Sequence, residues 1–198
     1  MLENRKEFKY FIPENEYSKL MYKIEKNCQE IYEKRVINSI YLDTNDFLIF
    51  KNNLEKDSET IKYRFRFYDK NLNNNKFEKK INKNGFKFKL TNTEYFYNKN
   101  NTAPYTIDNL HLYPKSIVRF NRSYYKYKNT RVTIDRNLEF VKPLMYDLNE
   151  FKKKQKLIII EQKILNSNDD SIEKNLLYPQ RKYSKFIESI RSLYPKII

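Results

Sequence analysis

The chain has 198 residues, of which 40 are Lys or Arg and 25 are Asp or Glu, so its formal net charge is +15. With one Cys, one His and one Gly, it excludes a disulfide framework, a thiolate or histidine zinc site and a glycine-rich phosphate loop. The 18 Tyr and 14 Phe supply the apolar surface that a disordered chain lacks, and the length fits one domain over residues 1–198. Side chains must therefore bind the anions that balance the excess positive charge, and we expect polyanions as partners.

No apolar segment is long enough to cross a membrane. The longest purely aliphatic run, Leu157 to Ile160, is far shorter than the roughly 20 residues of a membrane-spanning helix. The first residues also lack the charged-then-apolar pattern of a secretory signal. We therefore expect a cytoplasmic protein without a membrane span in this chain, which leaves room for a membrane partner.

Most of the chain alternates apolar and polar residues with the period of a β-strand. In the segment from residue 61 to 69, for example, Tyr63, Phe65 and Phe67 share one face, and the basic residues share the other. In chain order, this alternation predicts strands at residues 5–12, 36–44, 61–69, 76–81, 85–90, 116–127, 131–140 and 157–164.

Three segments have helical periodicity instead. The first, residues 13–31, begins with Pro13, which the first turn of a helix tolerates, and continues with apolar residues at helical spacing. The last, residues 183–194, repeats this pattern with Phe186, Ile190 and Leu193. A shorter, basic segment at residues 147–156 is a further helix candidate.

The number of strands decides between two architectures. A single alternating strand is typical of an antiparallel sheet with one wet face. Eight or nine such strands with two helices are enough for an antiparallel sheet to close, so we predict an α+β fold: a barrel of about eight strands flanked by helices. If the apolar faces point outward, Lys and Arg line the lumen, where unpaired charges cost several kcal/mol each unless an anion is bound.

Seven motifs spread along the chain resemble the VTC domain, the catalytic domain of inorganic polyphosphate polymerases in the CYTH or triphosphate tunnel metalloenzyme superfamily. The opening "RKEFKY" is similar to the family's R-x-E-x-K-Y strand, and "IIEQK" is similar to its L-E-V-K strand. The others are "SIYLDTND", "KYRFRFYD", "FEKKINKNG", "VRFNRSYY" followed by "RVTIDR", and "RKYSKFI". The resemblance implies a tunnel that binds ATP or another nucleoside triphosphate and inorganic polyphosphate, with no specific nucleic acid.

The resemblance also assigns roles to residues of this chain. It implies that phosphates are bound by Lys9, Arg64, Arg66, Lys80, Lys89, Arg122, Arg131, Lys163 and Lys185. It implies that Mn²⁺ or Mg²⁺ is held by Glu161, with Glu7 and Glu78 also facing the tunnel. The catalytic set that follows is Arg64, Arg66, Lys80, Arg122, Arg131 and Glu161. Tyr41 and Asp43 are expected to be structural.

One position departs from the hydrolytic members of the superfamily. Those members open with E-x-E-x-K, which places two carboxylates on one strand face, whereas here Arg5 leaves Glu7 alone. A lining this basic favours holding a phosphate chain over ionising water, so we predict metal-assisted transfer of a γ-phosphate onto polyphosphate. The acceptor is already anionic, so the reaction needs no general base and no Ser, Cys or His nucleophile.

Two alternatives remain open. The first is a triphosphatase with the same tunnel, which would hydrolyse a nucleoside triphosphate, an RNA 5′-triphosphate or tripolyphosphate. The second is a binder of polyanions or nucleic acid without catalysis, because basic residues between aromatic ones suit single strands. Against the second, Glu78 and Glu161 lie among the basic residues, where they would repel a phosphate backbone unless a metal intervened.

Overall fold

The structure is a computed structural model that describes residues 6–55, 59–69, 71–84, 86–101, 103–143, 152–164, 178 and 180–197. Arg5, on which the comparison with hydrolytic members depends, lies outside the described residues, as does Gly85. The secondary structure that follows refers to these ranges.

Ten strands and three α-helices form an α+β fold. The helices are α1 (Tyr17–Asn27), α2 (Leu48–Glu55) and α3 (Lys185–Leu193). The strands are β1 (Lys6–Pro13), β2 (Gln29–Asp43), β3 (Glu59–Tyr68), β4 (Lys76–Lys83), β5 (Phe86–Asn92), β6 (Tyr105–Ile107), β7 (Leu110–Tyr127), β8 (Thr130–Val141), β9 (Lys152–Gln155) and β10 (Leu157–Ile164).

The strands pair mainly in antiparallel ladders, in the order β1-β10-β8-β7-β2-β3-β4-β5, with β6 on β7 and β9 on β8. This order ends at β1 and at β5, and no ladder joins those two strands within the described ranges. The antiparallel α+β class is therefore confirmed, whereas closure of the sheet into a barrel stays a prediction.

The chain divides into two compact units. The first unit comprises Met1–Val36, Phe120–Leu138 and Lys154–Tyr183, and the second comprises Ile37–Arg119, Glu139–Lys153 and Ser184–Ile198. Strands β2, β7, β8 and β9 contribute residues to both units. The prediction of a single domain stays a prediction, and each unit is described by itself below.

In the first unit, helix α1 packs on the apolar face of β1, β10 and β8. Leu20 and Ile24 of α1 are fully buried, because they recur at the spacing that puts them on one side of the helix. They join a core cluster with Tyr10, Ile12, Tyr125, Tyr127, Val132, Ile134, Ile158 and Ile160. Since side chains alternate along a strand, the charged residues between these positions lie on the opposite face.

In the second unit, the apolar face of β3 forms an aromatic core. Phe65 is fully buried, and its ring centroid lies 4.9 Å from that of Tyr105, 5.5 Å from that of Phe77 and 5.8 Å from that of Tyr97. Tyr63 and Phe67 are also buried. The predicted alternation of β3 is thus confirmed, and Arg64 and Arg66 lie on the face away from this core.

Two of the predicted helices differ from the structure where strand pairing begins: one is shorter, and part of the other is a strand. The helix predicted over residues 13–31 spans only Tyr17–Asn27, because Pro13 is the last residue of β1, Cys28 is extended and β2 starts at Gln29. Of the segment predicted as helix at residues 147–156, Lys152–Gln155 is strand β9, which pairs with β8, so the helix prediction is wrong there. Residues 147–151 lie outside the described residues. Strand pairing outweighs a weak helical pattern in both places.

Asp43 anchors helix α2, which the sequence pattern did not predict. Its Oδ1 accepts backbone N–H bonds from Thr44 and Ile49, both at 2.8 Å, and its Oδ2 accepts one from Phe50 at 2.9 Å. Burial raises the pKa of this carboxyl to about 6, although the three N–H donors and the charge of Lys115 act in the opposite direction. The expected structural role of Asp43 is confirmed.

Among the helices that the structure describes, none combines the length and the apolar character that a membrane span requires.

Candidate active site

A row of three lysines crosses the second unit. Lys62 on β3 lies opposite Lys80 on β4, and Lys80 lies opposite Lys89 on β5. Side chains that face each other across an antiparallel pair are about 5 Å apart at Cβ, and like charges in such positions are destabilising. A row of this kind indicates a site that binds an anion with several charges.

Beside this row, Arg64 and Glu78 form a buried ion pair. Their exposed fractions are 6% and 5%, and Arg64 Nε donates to Glu78 Oε2 at 2.8 Å. The second guanidinium nitrogen, Nη1, donates to the hydroxyl of Tyr41 at 3.3 Å. Tyr41, which the sequence analysis expected to be structural, thus accepts a hydrogen bond from Arg64, a predicted phosphate ligand. We conclude that Arg64 is fixed in place by two partners before any phosphate arrives.

Several cationic side chains lie around the carboxylate of Glu78. Arg66 Nη1 lies 3.8 Å from Oε2, and Lys89 Nζ lies 3.6 Å from Oε1. Burial alone would raise the pKa of Glu78, but the charges of Arg64, Arg66 and Lys89 lower it to about 2. A carboxylate with so low a pKa is a poor proton acceptor, so Glu78 is unsuited to activate a water molecule.

Lys185 lies at the first position of helix α3, next to the residue that caps it. Ser184 is the N-cap, and its hydroxyl accepts from the backbone N–H of Ile187 at 3.3 Å and from Lys62 Nζ at 3.1 Å. The contact between Lys62 and Ser184 brings the start of α3 to the lysine row. Lys185 therefore lies in the same unit as that row, half-buried.

In the first unit, Lys9 lies between two carboxylates. Its Nζ is 3.6 Å from Glu7 Oε1 and 3.7 Å from Glu161 Oε1, and it donates to the carbonyl oxygen of Tyr183 at 3.1 Å. The strand register explains the arrangement, because Lys9 on β1 pairs directly with Glu161 on β10. The ammonium group of Lys9 therefore lies between the carboxylates of Glu7 and Glu161, in a position where a metal cation would contact the same oxygens.

Arg122 connects a buried aspartate to Glu161. Its Nε and Nη2 donate to the two oxygens of Asp135, both at 2.6 Å, and Nη2 also donates to Glu161 Oε2 at 3.2 Å. Asp135 is completely buried. Burial would lower the pKa of Arg122, but the carboxylates of Asp135 and Glu161, with a contribution from Tyr124, raise it. Bidentate pairing of this kind fixes both the charge and the orientation of the guanidinium group.

Lys163 and Arg131 complete the charged face of the first unit. Lys163 on β10 lies between Glu7 on β1 and Arg131 on β8. Burial lowers the pKa of Lys163 to about 8, with Arg131 and Arg122 acting in the same direction and Glu7 and Glu161 acting against it. An anion bound here would favour the charged form of this lysine, as expected for a phosphate ligand.

The residues of the first unit fit a divalent cation. Glu7 and Glu161 both approach Lys9 Nζ, and their oxygens are the hard ligands that Mg²⁺ and Mn²⁺ prefer. Mg²⁺ usually needs only one or two carboxylates when substrate phosphates supply further oxygens. Within the described residues, no group of three or more His, Cys, Asp or Glu is close enough to hold a metal alone. Glu78, the third predicted ligand, belongs to the second unit.

The predicted site residues thus fall into two groups. The first-unit cluster contains Glu7, Lys9, Arg122, Arg131, Glu161 and Lys163. The second-unit cluster contains Arg64, Arg66, Glu78, Lys80, Lys89 and Lys185. That both groups line one cavity stays a prediction.

The sequence interpretation gave no role to two residues that the structure places in these clusters. Lys62 belongs to the lysine row, and its alternation with Arg64 and Arg66 was the available signal. Asp135 is the partner of Arg122, and the hairpin turn at residues 128–129 was the signal, because it sets the two residues opposite each other.

Neither the single His nor the single Cys belongs to either cluster. His111 is exposed on β7, where its Nδ1 lies 3.3 Å from the hydroxyl oxygen of Thr106. Cys28 follows α1 and packs against the first-unit core, and burial raises the pKa of its thiol to about 11. Such a thiol is protonated at neutral pH and is a poor nucleophile.

The chain has an antiparallel α+β fold, and each of its two units carries a cluster of arginine, lysine and carboxylate side chains. Residues 4–194 match the VTC domain family, and the chain belongs to this family. The recognition made from the seven sequence motifs is therefore confirmed. A search of curated protein sequences gives no significant match.

Solved structures with the same fold include three putative adenylate cyclases. The protein from Bacillus halodurans is 12% identical, with a TM-score of 0.57, and the match covers 96% of this chain and 99% of that one. The protein from Vibrio parahaemolyticus is 11% identical, with a TM-score of 0.55 and coverage of 93% and 97%. The protein from Hippeastrum, described as having a dominant triphosphatase activity, is 13% identical, with a TM-score of 0.55 and coverage of 94% and 95%.

The ion pair of Glu78 makes the stability of the second unit depend on pH. Because the folded state lowers the pKa of Glu78 from 4.5 to about 2, its stabilising contribution is present above pH 4.5 and is lost as the pH falls towards 2. We expect Glu78→Gln to lower the free energy of unfolding by about 3 kcal/mol at pH 7 and by progressively less below pH 4.5.

Urea unfolding of both proteins between pH 7 and pH 2.5 measures this difference. Glu59→Gln is the matched control, because Glu59 forms an exposed pair with Lys83 at 3.3 Å that should contribute little at any pH. A difference between Glu78→Gln and the wild-type protein that stays constant over this pH range would contradict the prediction.

Proposed function

We propose that this chain is a metal-assisted phosphotransferase of the polyphosphate polymerase type. It moves the γ-phosphate of a nucleoside triphosphate onto the end of a polyphosphate chain, and we infer that it acts in the cytoplasm. The VTC family membership supports this proposal, and so do the cation-rich clusters of both units.

The observation that carries the proposal is the state of the carboxylates. Glu78 accepts from Arg64, while Asp135 and Glu161 both accept from Arg122. The charges of Arg64, Arg66 and Lys89 lower the pKa of Glu78 to about 2, so this carboxylate is a poor base and does not favour removal of a proton from water. A terminal phosphate oxygen needs no such base, because it is already an anion. These clusters therefore suit transfer to phosphate better than hydrolysis.

The transfer breaks one P–O bond and forms another. The bond between the γ-phosphorus and the oxygen that bridges it to the β-phosphate breaks, and a terminal oxygen of the acceptor chain bonds to the γ-phosphorus. The nucleoside diphosphate leaves with the bridging oxygen and its electron pair. The protein itself takes little part in bond making and breaking, because phosphoryl transfer depends mainly on positioning and charge stabilisation.

The side chains of the two clusters supply both of these contributions. Arg122 and Arg131 of the first unit offer planar guanidinium groups, and the lysine row of the second unit offers point charges for successive phosphates. A divalent cation held by Glu161 and Glu7 would neutralise charge on the phosphate oxygens and orient the leaving group. Lys9, whose Nζ lies 3.7 Å from Glu161 Oε1, would bind phosphate in the same cluster.

The proposal is tested by the products formed from ATP. The pure protein is incubated with ATP and Mn²⁺, and the mixture is analysed for long phosphate chains on a gel and for ADP and free phosphate in solution. We expect chains that lengthen with time, with one ADP formed per phosphate added. Release of the γ-phosphate only as free orthophosphate would overturn the proposal.

That second result would establish the alternative, a tunnel-type triphosphatase. The triphosphatase activity described for the Hippeastrum protein, which shares the fold, makes hydrolysis the second candidate. Binding of polyphosphate without turnover of ATP would leave the third candidate, a polyanion binder without catalysis.

A further inference from the structure

Two tyrosines form an aromatic pair at the edge of the first-unit cluster. The rings of Tyr32 on β2 and Tyr124 on β7 meet edge to face, with centroids 5.8 Å apart and planes at 88°. Tyr32 is 58% exposed, which is high for so large an aromatic side chain. Tyr124 is half-buried beneath it. The pair thus presents one open ring to solvent and holds it in place with a second ring.

This aromatic pair adjoins Arg122. Tyr124 follows Arg122 by two residues on β7, and alternate residues of a strand point to the same side, about 7 Å apart. Tyr124 is also one of the groups that act electrostatically on the Arg122 guanidinium. Tyr124 thus connects Tyr32 to the strand segment that carries Arg122, whose guanidinium group donates to Asp135 and Glu161.

Positive charge accompanies both tyrosines along their strands. Lys34 follows Tyr32 by two residues on β2, and Lys126 follows Tyr124 by two residues on β7. Both lysines are exposed. An aromatic surface with adjacent cations is suited to a ligand that joins a flat ring to phosphates, because bases stack on aromatic rings while cations bind the phosphates.

We propose that Tyr32 and Tyr124 form the binding site for the base of the nucleoside triphosphate, with its phosphates at Arg122. This inference rests on the proposed function, since it assumes that a nucleoside triphosphate is the phosphate donor. The ribose would lie between the tyrosine pair and the guanidinium group. The base stacks on the exposed ring of Tyr32, and Tyr124 keeps that ring from turning away.

Stacking determines which bases bind well. Every base has a π-face, so a stacking site distinguishes bases by the size of the ring rather than by hydrogen bonds at their edges. We therefore expect ATP and GTP to bind alike and both to bind more tightly than UTP or CTP. The chain then differs from a site that selects adenine by its polar edge.

The test compares three ligands, ATP, UTP and tripolyphosphate, by calorimetric titration of the full chain. Tyr32→Ala is expected to weaken ATP binding by about 5- to 100-fold, the range for loss of one base–aromatic stack, and to leave tripolyphosphate binding unchanged. The preference for ATP over UTP should disappear in this variant. Tyr32→Phe keeps the ring and should retain the ATP affinity. Tyr22→Ala is the matched control, because Tyr22 is a 68% exposed tyrosine on α1.

The outcomes separate this inference from the proposed function. Unchanged ATP affinity in Tyr32→Ala, with normal tripolyphosphate binding, would overturn the stacking site alone. Equal losses of ATP and tripolyphosphate affinity would also overturn it, since they would show that Tyr32 supports the fold or the phosphate site. Failure of the wild-type protein to bind tripolyphosphate or ATP would instead overturn the proposed function.

Discussion

Glu161→Gln is expected to lower the turnover of ATP by at least about 100-fold while tripolyphosphate affinity is retained or increased. The substitution keeps the shape of the side chain and removes the negative charge that would hold the divalent cation. It also removes a negative charge from beside Lys9 and Arg122, which lie 3.7 and 3.2 Å from the two carboxylate oxygens. Both cations then become more attractive to phosphate, so binding should not suffer.

The fold should survive this change, because Arg122 keeps both of its bonds to Asp135. ATP turnover is measured with Mn²⁺, and tripolyphosphate affinity is measured by titration, for the variant and for Glu25→Gln, an exposed glutamate of α1. Turnover close to that of the wild-type protein would contradict the assignment of Glu161 as metal ligand.

Arg66→Ala gives a useful contrast. Its guanidinium group is a positive charge in the second-unit cluster, 3.8 Å from Glu78, and it would act on bound phosphate in the ground state and in the transition state alike. We expect both affinity and turnover to fall in this variant. Loss of turnover with intact binding in Glu161→Gln, and loss of both in Arg66→Ala, would separate a metal ligand from a phosphate ligand.

Much of the fold follows from the period of two along the strands. In β3, the sequence alone places Tyr63, Phe65 and Phe67 on one face, and the structure buries all three. Such a strand can be predicted from its sequence because each face has one environment, apolar or charged, over the whole strand. The same alternation identified Arg64 and Arg66 as side chains on the polar face, before any neighbour of that strand was known.

Helix α2 shows what the pattern does not contain. Its sequence is short and polar at residues 51–53, and the backbone N–H bonds of Ile49 and Phe50 to the Asp43 side chain secure its first turn. Those bonds depend on where β2 ends, which a local pattern does not specify. Strand β9 is similar, since Lys152–Gln155 becomes a strand by pairing with β8 and not by its own propensity.

For the candidate site, the alternation shows which residues share a face, whereas the register shows which residues meet. The lysine row formed by Lys62, Lys80 and Lys89 exists only because β3, β4 and β5 pair in one particular register. Lys62 was therefore left without a role at the level of sequence. The roles that remain predictions are those that depend on a bound phosphate or metal.

Arg122→Met is expected to lower the free energy of unfolding by about 3–5 kcal/mol, because it leaves the carboxylate of Asp135 buried without its partner. Asp135 is completely buried, and Arg122 donates to both of its oxygens at 2.6 Å. The loss of stability in Arg122→Met comes from the Asp135 carboxylate, which stays buried without its partner. Removing both charges should therefore restore much of the stability. Arg122→Met combined with Asp135→Leu is expected to unfold near the urea concentration of the wild-type protein.

Urea unfolding of the single and double variants makes the comparison, with Arg191→Ala as the control for an exposed pair. Arg191 Nη1 lies 3.2 Å from Glu188 on the surface of α3, and its removal should change stability by less than about 1 kcal/mol. The stable double variant then separates fold from function: it should remain folded and bind tripolyphosphate more weakly, since the first-unit cluster has lost the guanidinium group. A double variant that is as unstable as Arg122→Met would show that the pair stabilises the fold through more than charge neutralisation. Unchanged tripolyphosphate affinity in a folded double variant would remove Arg122 from the phosphate site.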